Sequence, residues 1–433
     1  MIKEALEKLA IAELNEMQNA AINAAKKSDV ILLAPTGSGK TLGFLLPLLA
    51  LLDPDVPFVQ ALILVPSREL ALQIEQVFKG MGTGFKVNCC YGGHSTKIEK
   101  NNFIQPPAVL IGTPGRLAHH LRQENFETNK VQTLILDEFD KALEFGFQDD
   151  MAYIIKQLPA LKKRILTSAT KMDEIPRFTG VTNPLTLDFL HNKTNAPDLK
   201  LKAVIADPAD KLEALFALIC KIGDKAMLVF CNHRDAVDRI SDLLWEMGLP
   251  HDVFHGGMEQ EDRERALLKF RNGSHRILVT TDLASRGLDI PEIEYVIHYQ
   301  LPHNEEAFLH RNGRTARMHA KGTAYLILAE DENLPYLKQR PEVEELPEKN
   351  VIPKPSPWAT LYIAAGKKDK INKVDIVGLL LQKGKLEKDD LGLIEVLDHS
   401  SYAGVKRSKI EQVVKLVKSE KIKNKKVKIE ISI

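Results

Sequence analysis

Two adjacent carboxylates, Asp137 and Glu138, directly follow the apolar run from Val131 to Leu136. Such a run is typical of a buried strand in a parallel sheet, and these sheets bind their ligands at the carboxyl edge. A first carboxylate at that edge can hold Mg²⁺, and a second can orient or deprotonate an attacking water. Adjacent acids are also common in surface loops, so the pair alone leaves both interpretations open.

A glycine-rich segment upstream favours the first interpretation. The apolar run from Val30 to Leu33 leads into APTGSGKT at 34–41, and apolar residues 42–52 follow. A strand, a glycine-rich turn and a helix start form a phosphate-binding loop, because N–H groups at the helix start converge on the phosphates. The nucleotide-binding residues predicted here are Ala34, Pro35, Thr36, Gly37, Ser38, Gly39, Lys40 and Thr41. We therefore expect a nucleoside triphosphate site in which Lys40 meets the phosphates, while Thr41 and Asp137 hold Mg²⁺.

Composition indicates a protein of several domains with an uneven charge. At 433 residues the chain exceeds the usual size of one core. Its net charge is +1, yet residues 359–433 contain 17 Lys plus Arg against 10 Asp plus Glu. A basic module of this kind suits a polyanion such as nucleic acid, although solubility alone also explains it.

The four cysteines and the apolar segments point to the cytoplasm. Cys89, Cys90, Cys220 and Cys231 have no C-x-x-C spacing, and no secretory leader precedes them. The longest apolar stretch, residues 42–52, is too short to cross a bilayer, which needs about 20 residues. We expect reduced thiols, no disulfides or zinc, and no membrane partner.

Short apolar runs alternate with helical patterns in two similar halves, which predicts two α/β domains with doubly wound parallel sheets. Residues 341–358 are rich in proline and charge, which is typical of an extended linker. A unit with the order βαββαβ follows, which is the α+β order of an RRM. It carries Tyr362 and Tyr402 but has Gly404 where an RRM has another aromatic residue. The predicted boundaries are 1–194, 195–340, 341–358 and 359–433.

The first 340 residues resemble the DEAD-box family of ATP-dependent RNA helicases, whose motifs occur here in the family's order. They are Gln18, APTGSGKT at 34–41, PSREL at 66–70, Gly92-Gly93, TPGR at 113–116, DEFD at 137–140, SAT at 168–170, TTDLASRGLDI at 280–290 and HRNGRTAR at 310–317. The resemblance implies that both α/β domains are RecA-like and that ATP and Mg²⁺ are bound. The family has Ala at the position of Phe139, where we expect a difference in packing only.

The same resemblance implies roles for residues around the nucleotide. Gln18 is similar to the residue that reads adenine, and Asp289 to the acid that meets the ribose. Arg314 and Arg317 resemble arginine fingers that stabilise charge on the transferred phosphoryl group, and His310 and Arg311 brace the same edge. Ser168 and Thr170 resemble the segment that couples hydrolysis to RNA binding.

RNA contacts are implied in both helicase domains and in the C-terminal unit. The backbone-contacting set consists of Pro66, Arg68, Gly93, Thr113, Arg116, Thr280 and Asp282. The segments GKKDKINKVDIVGLL and IEVLDHSSYAGV resemble the C-terminal domain of the family's DbpA subgroup, which binds a hairpin of large-subunit (23S-type) ribosomal RNA. Its expected contributors are Lys367, Lys368, Lys370, Lys406 and Arg407.

Taken together, the sequence predicts a monomeric ATP-dependent RNA helicase that acts in the assembly of the large ribosomal subunit. The alternative is an ATP-gated RNA clamp or assembly scaffold that separates no strands, because closure around RNA is common to both. A DNA translocase is disfavoured by the RRM-like unit.

Overall fold

A computed structural model describes the chain except for residues 36, 94–95, 173, 191–197, 208–210, 286–292, 316–320, 331, 333, 338, 424 and 433. The molecule divides into two compact units. The described part of the first unit ends at residue 190, and that of the second begins at residue 198.

The first unit is built on a sheet of seven parallel strands. They are β1 (Val30–Leu33), β2 (Ala61–Leu64), β3 (Val87–Cys90), β4 (Val109–Gly112), β5 (Thr133–Leu136), β6 (Lys163–Ser168) and β7 (Leu185–Asp188). Their spatial order is β3-β4-β2-β5-β6-β1-β7. Because the strands are parallel, the residues that follow β1, β2, β4, β5 and β6 meet at one edge, where the predicted motifs lie.

Helices cover both faces of this sheet. They are α1 (Ile2–Lys8), α2 (Glu16–Ala25), α3 (Lys40–Leu49), α4 (Arg68–Gly80), α5 (Thr96–Asn102), α6 (Pro114–Arg122), α7 (Phe139–Glu144) and α8 (Gln148–Lys156). Side chains alternate along each strand, so Ile63 joins one hydrophobic cluster while Leu62 and Leu64 join the other. Burial on both faces explains why these strands are continuous apolar runs.

The second unit contains another sheet of seven parallel strands, in the order β10-β11-β9-β12-β13-β8-β14. The strands are β8 (Asp198–Ile205), β9 (Met227–Phe230), β10 (Asp252–Phe254), β11 (Ile277–Thr280), β12 (Tyr295–His298), β13 (Lys321–Leu328) and β14 (Glu342–Val343). The helices are α9 (Lys211–Ile222), α10 (Arg234–Glu246), α11 (Gln260–Arg271) and α12 (Glu305–Asn312).

The first residues of the segment predicted to be a linker are attached to this sheet. Strand β14 pairs with β8 along the edge. Beside it, Glu344 forms ion pairs with Lys202 and Lys221, and Leu346 packs against the core. These contacts hold residues 342–346 against the helicase domain.

A small antiparallel sheet ends the chain, in the order β16-β17-β15-β20. Its strands are β15 (Trp358–Ile363), β16 (Leu391–Val396), β17 (Ser401–Lys406) and β20 (Ile429–Ile431), and its helices are α13 (Lys373–Gly378), continued by a π-turn at Leu379–Lys383, and α14 (Arg407–Val417). A two-stranded hairpin, β18 (Lys421–Ile422) with β19 (Lys425–Lys426), precedes the last strand. Ile376 and Val413 belong to this domain's own core.

The predicted fold class, two doubly wound parallel-sheet domains and a small α+β domain, is confirmed. The βαββαβ order also holds, with the hairpin as an unpredicted addition. The domain boundaries stay a prediction. Among the described residues, no helix is long and apolar enough to cross a membrane.

Candidate nucleotide and RNA-binding sites

The phosphate loop lies between β1 and α3, as predicted. Gly37 and Gly39 have φ angles of 82° and 86°, which favour glycine. A Cβ atom on Gly39 would also lie 2.6 Å from Gln18 Nε2. The loop therefore requires glycine at position 39 for both backbone and steric reasons. Thr36 lies outside the described residues.

Lys40, the first residue of α3, points back into the loop. Its Nζ donates to Ala34 O at 2.5 Å and Pro35 O at 3.0 Å. Burial lowers the pKa of Lys40, against the attraction of nearby Asp137, Glu138 and Asp140. Thr41 follows it on the helix and is partly buried. The ammonium group thus lies between the loop and the carboxylates that end β5.

Gln18 connects helix α2 to the phosphate loop. Its Oε1 accepts from the amide of Asn15, and its Nε2 donates to Gly39 O at 3.2 Å. Asn15 reaches the loop as well, through Ser38 O. An amide side chain has two N–H groups and two acceptor lone pairs, so one of each remains for an adenine edge. The adenine-reading role of Gln18 stays a prediction.

Asp137 is 3% exposed at the end of β5. Its Oδ1 accepts hydrogen bonds from the Thr167 hydroxyl and from the amide of Glu138. Burial raises the pKa of Asp137, while Thr167 and Lys40 act in the opposite direction. Thr167 was not predicted as a site residue, because within the sequence it is simply part of a strand.

Glu138 adopts a left-handed backbone conformation, with φ 47° and ψ 49°. Its amide donates to Asp137 Oδ1 and to Thr167 Oγ1 at 3.2 Å, which holds this unfavourable geometry. Non-glycine residues in this region cost about 1–3 kcal/mol and cluster at functional sites.

A second hydroxyl, in addition to that of Thr167, joins the SAT segment to DEFD by a hydrogen bond. Thr170 Oγ1 donates to Asp140 Oδ2 at 2.8 Å, and Ser168 Oγ donates to Thr170 O at 2.6 Å. The phosphate loop joins the same segment, since the amide of Ala34 donates to Ser168 O. The three motifs therefore form one hydrogen-bonded network, although the coupling role of Ser168 and Thr170 stays a prediction.

The donor set fits Mg²⁺. Among the described residues, Asp137 Oδ2 makes no hydrogen bond, and the buried Ser38 Oγ and Asp140 Oδ1 have no partner. Carboxylate and hydroxyl oxygens are the ligands this hard cation prefers. A cation at Asp137 would also offset the burial of that carboxyl group.

The RNA contacts predicted in the first unit lie after strands β2, β3 and β4, on the same sheet edge. Pro66 and Arg68 follow β2, and Gly93 follows β3 with a φ angle of 81°. Thr113 follows β4 at the N-cap position of α6, without a side-chain capping bond, and Arg116 lies in that helix. The structure thus brings these five residues to one sheet edge, where Pro66 is buried and the other four are exposed or partly exposed.

In the second unit the predicted residues surround Arg311, which is fully buried. Its Nε binds Asp282 Oδ1 at 2.5 Å, its Nη1 binds Gln300 O at 2.7 Å, and its Nη2 binds Asn232 Oδ1 at 2.8 Å. The guanidinium group also lies 5.2 Å from the centre of the Phe230 ring. Asp282 is therefore the counter-ion of this buried arginine.

Nearby polar residues are likewise held inside the second unit. Burial and the charge of Arg311 lower the pKa of His298 to about 3, so His298 is neutral beside Asn312. His310 is buried, and so is Arg314, two residues after α12. Arg317 and Asp289 lie outside the described residues.

Thr280 needs a correction. Its side chain is fully buried, and its hydroxyl donates to Phe254 O at 2.6 Å. The last residue of a buried strand directs this hydroxyl inward, so it is not available to RNA. Thr281, the next residue, is partly exposed and was not predicted.

The C-terminal domain is fastened to the second helicase domain by buried polar groups. Thr360 Oγ1 lies 2.6 Å from Ser274 Oγ and accepts from Asn272 Nδ2. Arg407 donates to three backbone oxygens, those of Ser356, Ser274 and Trp358. Arg407, expected at the RNA, therefore serves this interface.

The sheet face that carries the tyrosines lies over helix α11. Tyr362 and Tyr402 are 5.5 Å apart and line a cleft of about 420 Å³ that Glu261 and Glu264 also line. A Cβ atom on Gly404 would lie 3.1 Å from Asn272 Oδ1. The missing aromatic residue at position 404 is thus explained by the close approach of the helicase domain.

Family comparisons match three consecutive parts of the chain. Residues 15–178 match the DEAD/DEAH box helicase model, 210–319 the helicase conserved C-terminal domain, and 360–431 the DbpA RNA binding domain. The ATP-dependent RNA helicase DbpA of Bacillus subtilis is 31% identical over 470 residues, which cover 99% of this chain and 96% of that protein. DbpA of Escherichia coli is 32% identical over 416 residues, covering 93% and 91%.

Solved structures agree with the family comparisons. Dbp5 of S. cerevisiae bound to RNA and ADP BeF3 is similar with a TM-score of 0.69 and 27% identity, over 76% of this chain and 87% of that one. Mss116p bound to ssRNA and AMP-PNP also gives 0.69 and 27%, over 80% and 77%. Both of these structures contain a bound nucleotide and RNA.

Proposed function

Because the chain belongs to the DEAD-box family of ATP-dependent RNA helicases and ends in a DbpA-type RNA-binding domain, we propose that it remodels short duplexes of large-subunit ribosomal RNA during ribosome assembly. The supporting observation is the single network that joins the phosphate loop, DEFD and SAT at one sheet edge. One chain supplies both the nucleotide and the RNA surfaces, so a monomer suffices. In this proposal the protein acts in the cytoplasm.

In this proposal the first unit performs the hydrolysis. Thr41 and Asp137 would hold Mg²⁺, which neutralises charge on the phosphates when bound. Lys40 exchanges the carbonyl oxygens of Ala34 and Pro35 for phosphate oxygens, because the phosphates are stronger acceptors of a charged hydrogen bond. Glu138 orients the attacking water and takes its proton.

Two hydroxyls would transmit the state of the nucleotide site. Thr167 binds Asp137, and Thr170 binds Asp140, so a shift of DEFD displaces the SAT segment directly. Arg314 and Arg317 complete the site when the helicase domains close around RNA, supplying positive charge to the transferred phosphoryl group. Hydrolysis then removes the γ-phosphate contact and frees the RNA.

The C-terminal domain would select the RNA with its lysine-rich edge rather than with its tyrosine face. The tyrosine face lies against the start of α11, where Glu261, Asp262 and Glu264 outnumber Arg265 in the lining of the cleft, so the carboxylates there repel phosphates. Lys367, Lys368 and Lys370 are exposed, and the neighbouring hairpin donates from Lys423 to Lys370 O at 2.6 Å. Exposed lysines on a segment whose backbone is restrained in this way suit the phosphates of a folded hairpin.

RNA dependence and strand release test the catalytic proposal. Arginine fingers contribute about 10³-fold or more in such sites, so ATP turnover of the full chain should be far lower without RNA. With a short duplex joined to a 23S-type hairpin, ATP should release the strand and a non-hydrolysable analogue should not. Equal turnover with and without RNA would contradict the closure mechanism, and RNA retention without strand release would favour the clamp.

A charge reversal tests the lysine edge. Lys367→Glu together with Lys368→Glu should weaken binding of the 23S-type hairpin by about 10-fold or more at low salt, because two phosphate contacts become repulsive. Lys415→Glu with Lys418→Glu changes the charge equally on the exposed side of α14 and should have a smaller effect. Fluorescence anisotropy with a labelled hairpin measures both, and equal weakening would show that only net charge matters.

A further inference from the structure

A buried carboxylate in the first unit binds one predicted RNA-binding residue directly and supports two others through a neighbouring residue. Glu99 lies on α5 and is fully buried. Its Oε2 accepts from Arg116 Nε at 2.6 Å, and its Oε1 accepts from the amide of Tyr91 at 3.2 Å. Nothing in the polar sequence around Glu99 distinguishes it from a solvated helix residue.

Arg116 is held in one orientation by this carboxylate. A hydrogen bond to Nε fixes the plane of the guanidinium group, and a charge-assisted bond of this length is among the stronger ones. The side chain of Arg116 is 15% exposed while that of Glu99 is buried. The carboxylate therefore anchors the arginine from inside the domain and leaves its outer edge at the surface.

His120 supports the same carboxylate from the other side. Its Nε2 lies 2.6 Å from Glu99 Oε2, and its Nδ1 lies 2.8 Å from Asn125 Nδ2. An amide nitrogen can only donate, so Nδ1 accepts and Nε2 carries the proton given to Glu99. Burial raises the pKa of Glu99, but the hydrogen bonds from His120 and Arg116 outweigh it and keep the pKa below its ordinary value.

The second oxygen of Glu99 acts on the neighbouring strand end. It binds the amide of Tyr91, the residue before Gly92 and Gly93. The guanidinium group of Arg68 lies 4.5 Å from the centre of the Tyr91 ring, in a cation–π contact. Through Tyr91, therefore, Glu99 also supports Arg68 and the turn at Gly93.

A metal site is the other function this cluster suggests, because ligand atoms of Cys90, Glu99 and His120 lie within 4.8 Å of one another. Three features oppose it. Burial raises the pKa of the Cys90 thiol far above its ordinary value, so the thiol stays protonated. Glu99 Oε2 already accepts two hydrogen bonds, and the Arg116 guanidinium beside it repels a cation.

We propose that Glu99 is a positioning residue for RNA-backbone binding, which orients Arg116 directly and supports Arg68 through Tyr91. Two arginines whose side chains are already restrained lose less conformational freedom when they bind phosphates. This inference rests on the proposed RNA function. It makes one buried acid, which never meets RNA, a determinant of RNA affinity.

Glu99→Gln is the test variant, because it keeps the size of the side chain and removes its charge. The RNA concentration for half-maximal stimulation of ATP turnover should rise about tenfold, since charge-assisted bonds orient Arg116, while turnover at saturating RNA stays close to the native value. Removing an acid otherwise strengthens RNA binding by electrostatics alone. Glu75→Gln, which removes an acid of the same domain paired with Lys79, is the matched control and should not weaken binding.

A double-mutant cycle shows whether Glu99 acts through Arg116. Glu99→Gln should weaken RNA binding less in an Arg116→Ala background than in the native chain, because contacting residues are not additive. Tyr91→Leu leaves the backbone amide for Glu99 but removes the ring beneath Arg68, and should weaken RNA binding even if Glu99→Gln does not fold. Native affinity in Glu99→Gln, or an equal loss in both backgrounds, would overturn the proposal.

Binding is measured with a non-hydrolysable ATP analogue, which separates this inference from the proposed function. If the native chain binds RNA but RNA does not stimulate hydrolysis, the catalytic proposal fails and the positioning role can still be measured. If RNA stimulates ATP hydrolysis by the native chain and Glu99→Gln binds RNA with native affinity, only the positioning role is contradicted. Thermal unfolding of each variant checks that the domain remains folded.

Discussion

Replacing Glu138 with Gln is expected to lower RNA-stimulated ATP turnover by about 10²–10⁴-fold, the usual contribution of a general base. The substitution preserves shape and backbone, so the left-handed turn and its bonds to Asp137 and Thr167 should remain. ATP binding should therefore be retained, because Lys40, Thr41 and Asp137 are unchanged. Turnover at saturating RNA and binding of a fluorescent nucleotide measure the two effects separately.

Phe139 provides the matched control within the same motif. It is 1% exposed, belongs to the core cluster and lies 6.3 Å from Phe178, ring centre to ring centre. Phe139→Leu keeps most of the volume and should leave turnover near the native value, whereas Phe139→Ala should cost about 3–5 kcal/mol of stability. Equal loss of turnover from Glu138→Gln and Phe139→Leu would show that the chemistry of this motif is misassigned.

The position of the phosphate loop can be predicted from the sequence because its parts are contiguous. A phosphate loop needs strand, turn and helix in immediate succession, and those signals lie within residues 30–52. Thr167 and Glu99 could not be predicted, because the residues on which they act are not contiguous with them in the sequence. Their roles depend on partners 30 and 17 positions away in the sequence, Asp137 and Arg116 respectively, and neither neighbourhood has a pattern of its own.

Most of the strands that the sequence does not predict are short and lie at sheet edges. The strands β3, β7, β10 and β14 have only two to four residues and end the two sheets, whereas β8, also unpredicted, has eight residues and lies between β13 and β14. Edge strands are covered on fewer sides, so their sequences need no continuous apolar run. Strand β7, LTLD, is largely exposed and shows this directly.

Arg407 and Thr280 show a different limit. Both were assigned to RNA through the family resemblance, yet the structure uses their donors for backbone carbonyls. Side-chain chemistry identifies what a residue can bind, whereas burial decides what it does bind. Gly404 is the converse case, because its missing side chain is explained only by the Asn272 that approaches it.

Arg311 should be the largest single contributor to the stability of the second unit among the residues of the HRNGRTAR motif that the structure describes. Arg311→Ala removes bonds to Asp282, Gln300 and Asn232 from a fully buried position. Hydrogen bonds of a charged group contribute about 1.5–3 kcal/mol each, so the loss should be large even though Asp282 is 32% exposed and its carboxylate remains solvated in the variant. Arg311→Lys keeps the charge but cannot donate all three of these hydrogen bonds, so it should lose part of that stability.

The tryptophans make this loss measurable in the complete chain. Both of them, Trp245 and Trp358, lie in the second unit, so their fluorescence during denaturant unfolding reports that unit and not the first. Arg311→Ala should move the tryptophan midpoint to clearly lower denaturant, while nucleotide binding by the first unit is retained. Arg265→Ala, which breaks an exposed pair with Asp262, is the control and should shift it little. If the two variants unfold at the same midpoint, the hydrogen bonds of Arg311 do not stabilise the domain, and their role must be confined to orienting Asp282 toward RNA.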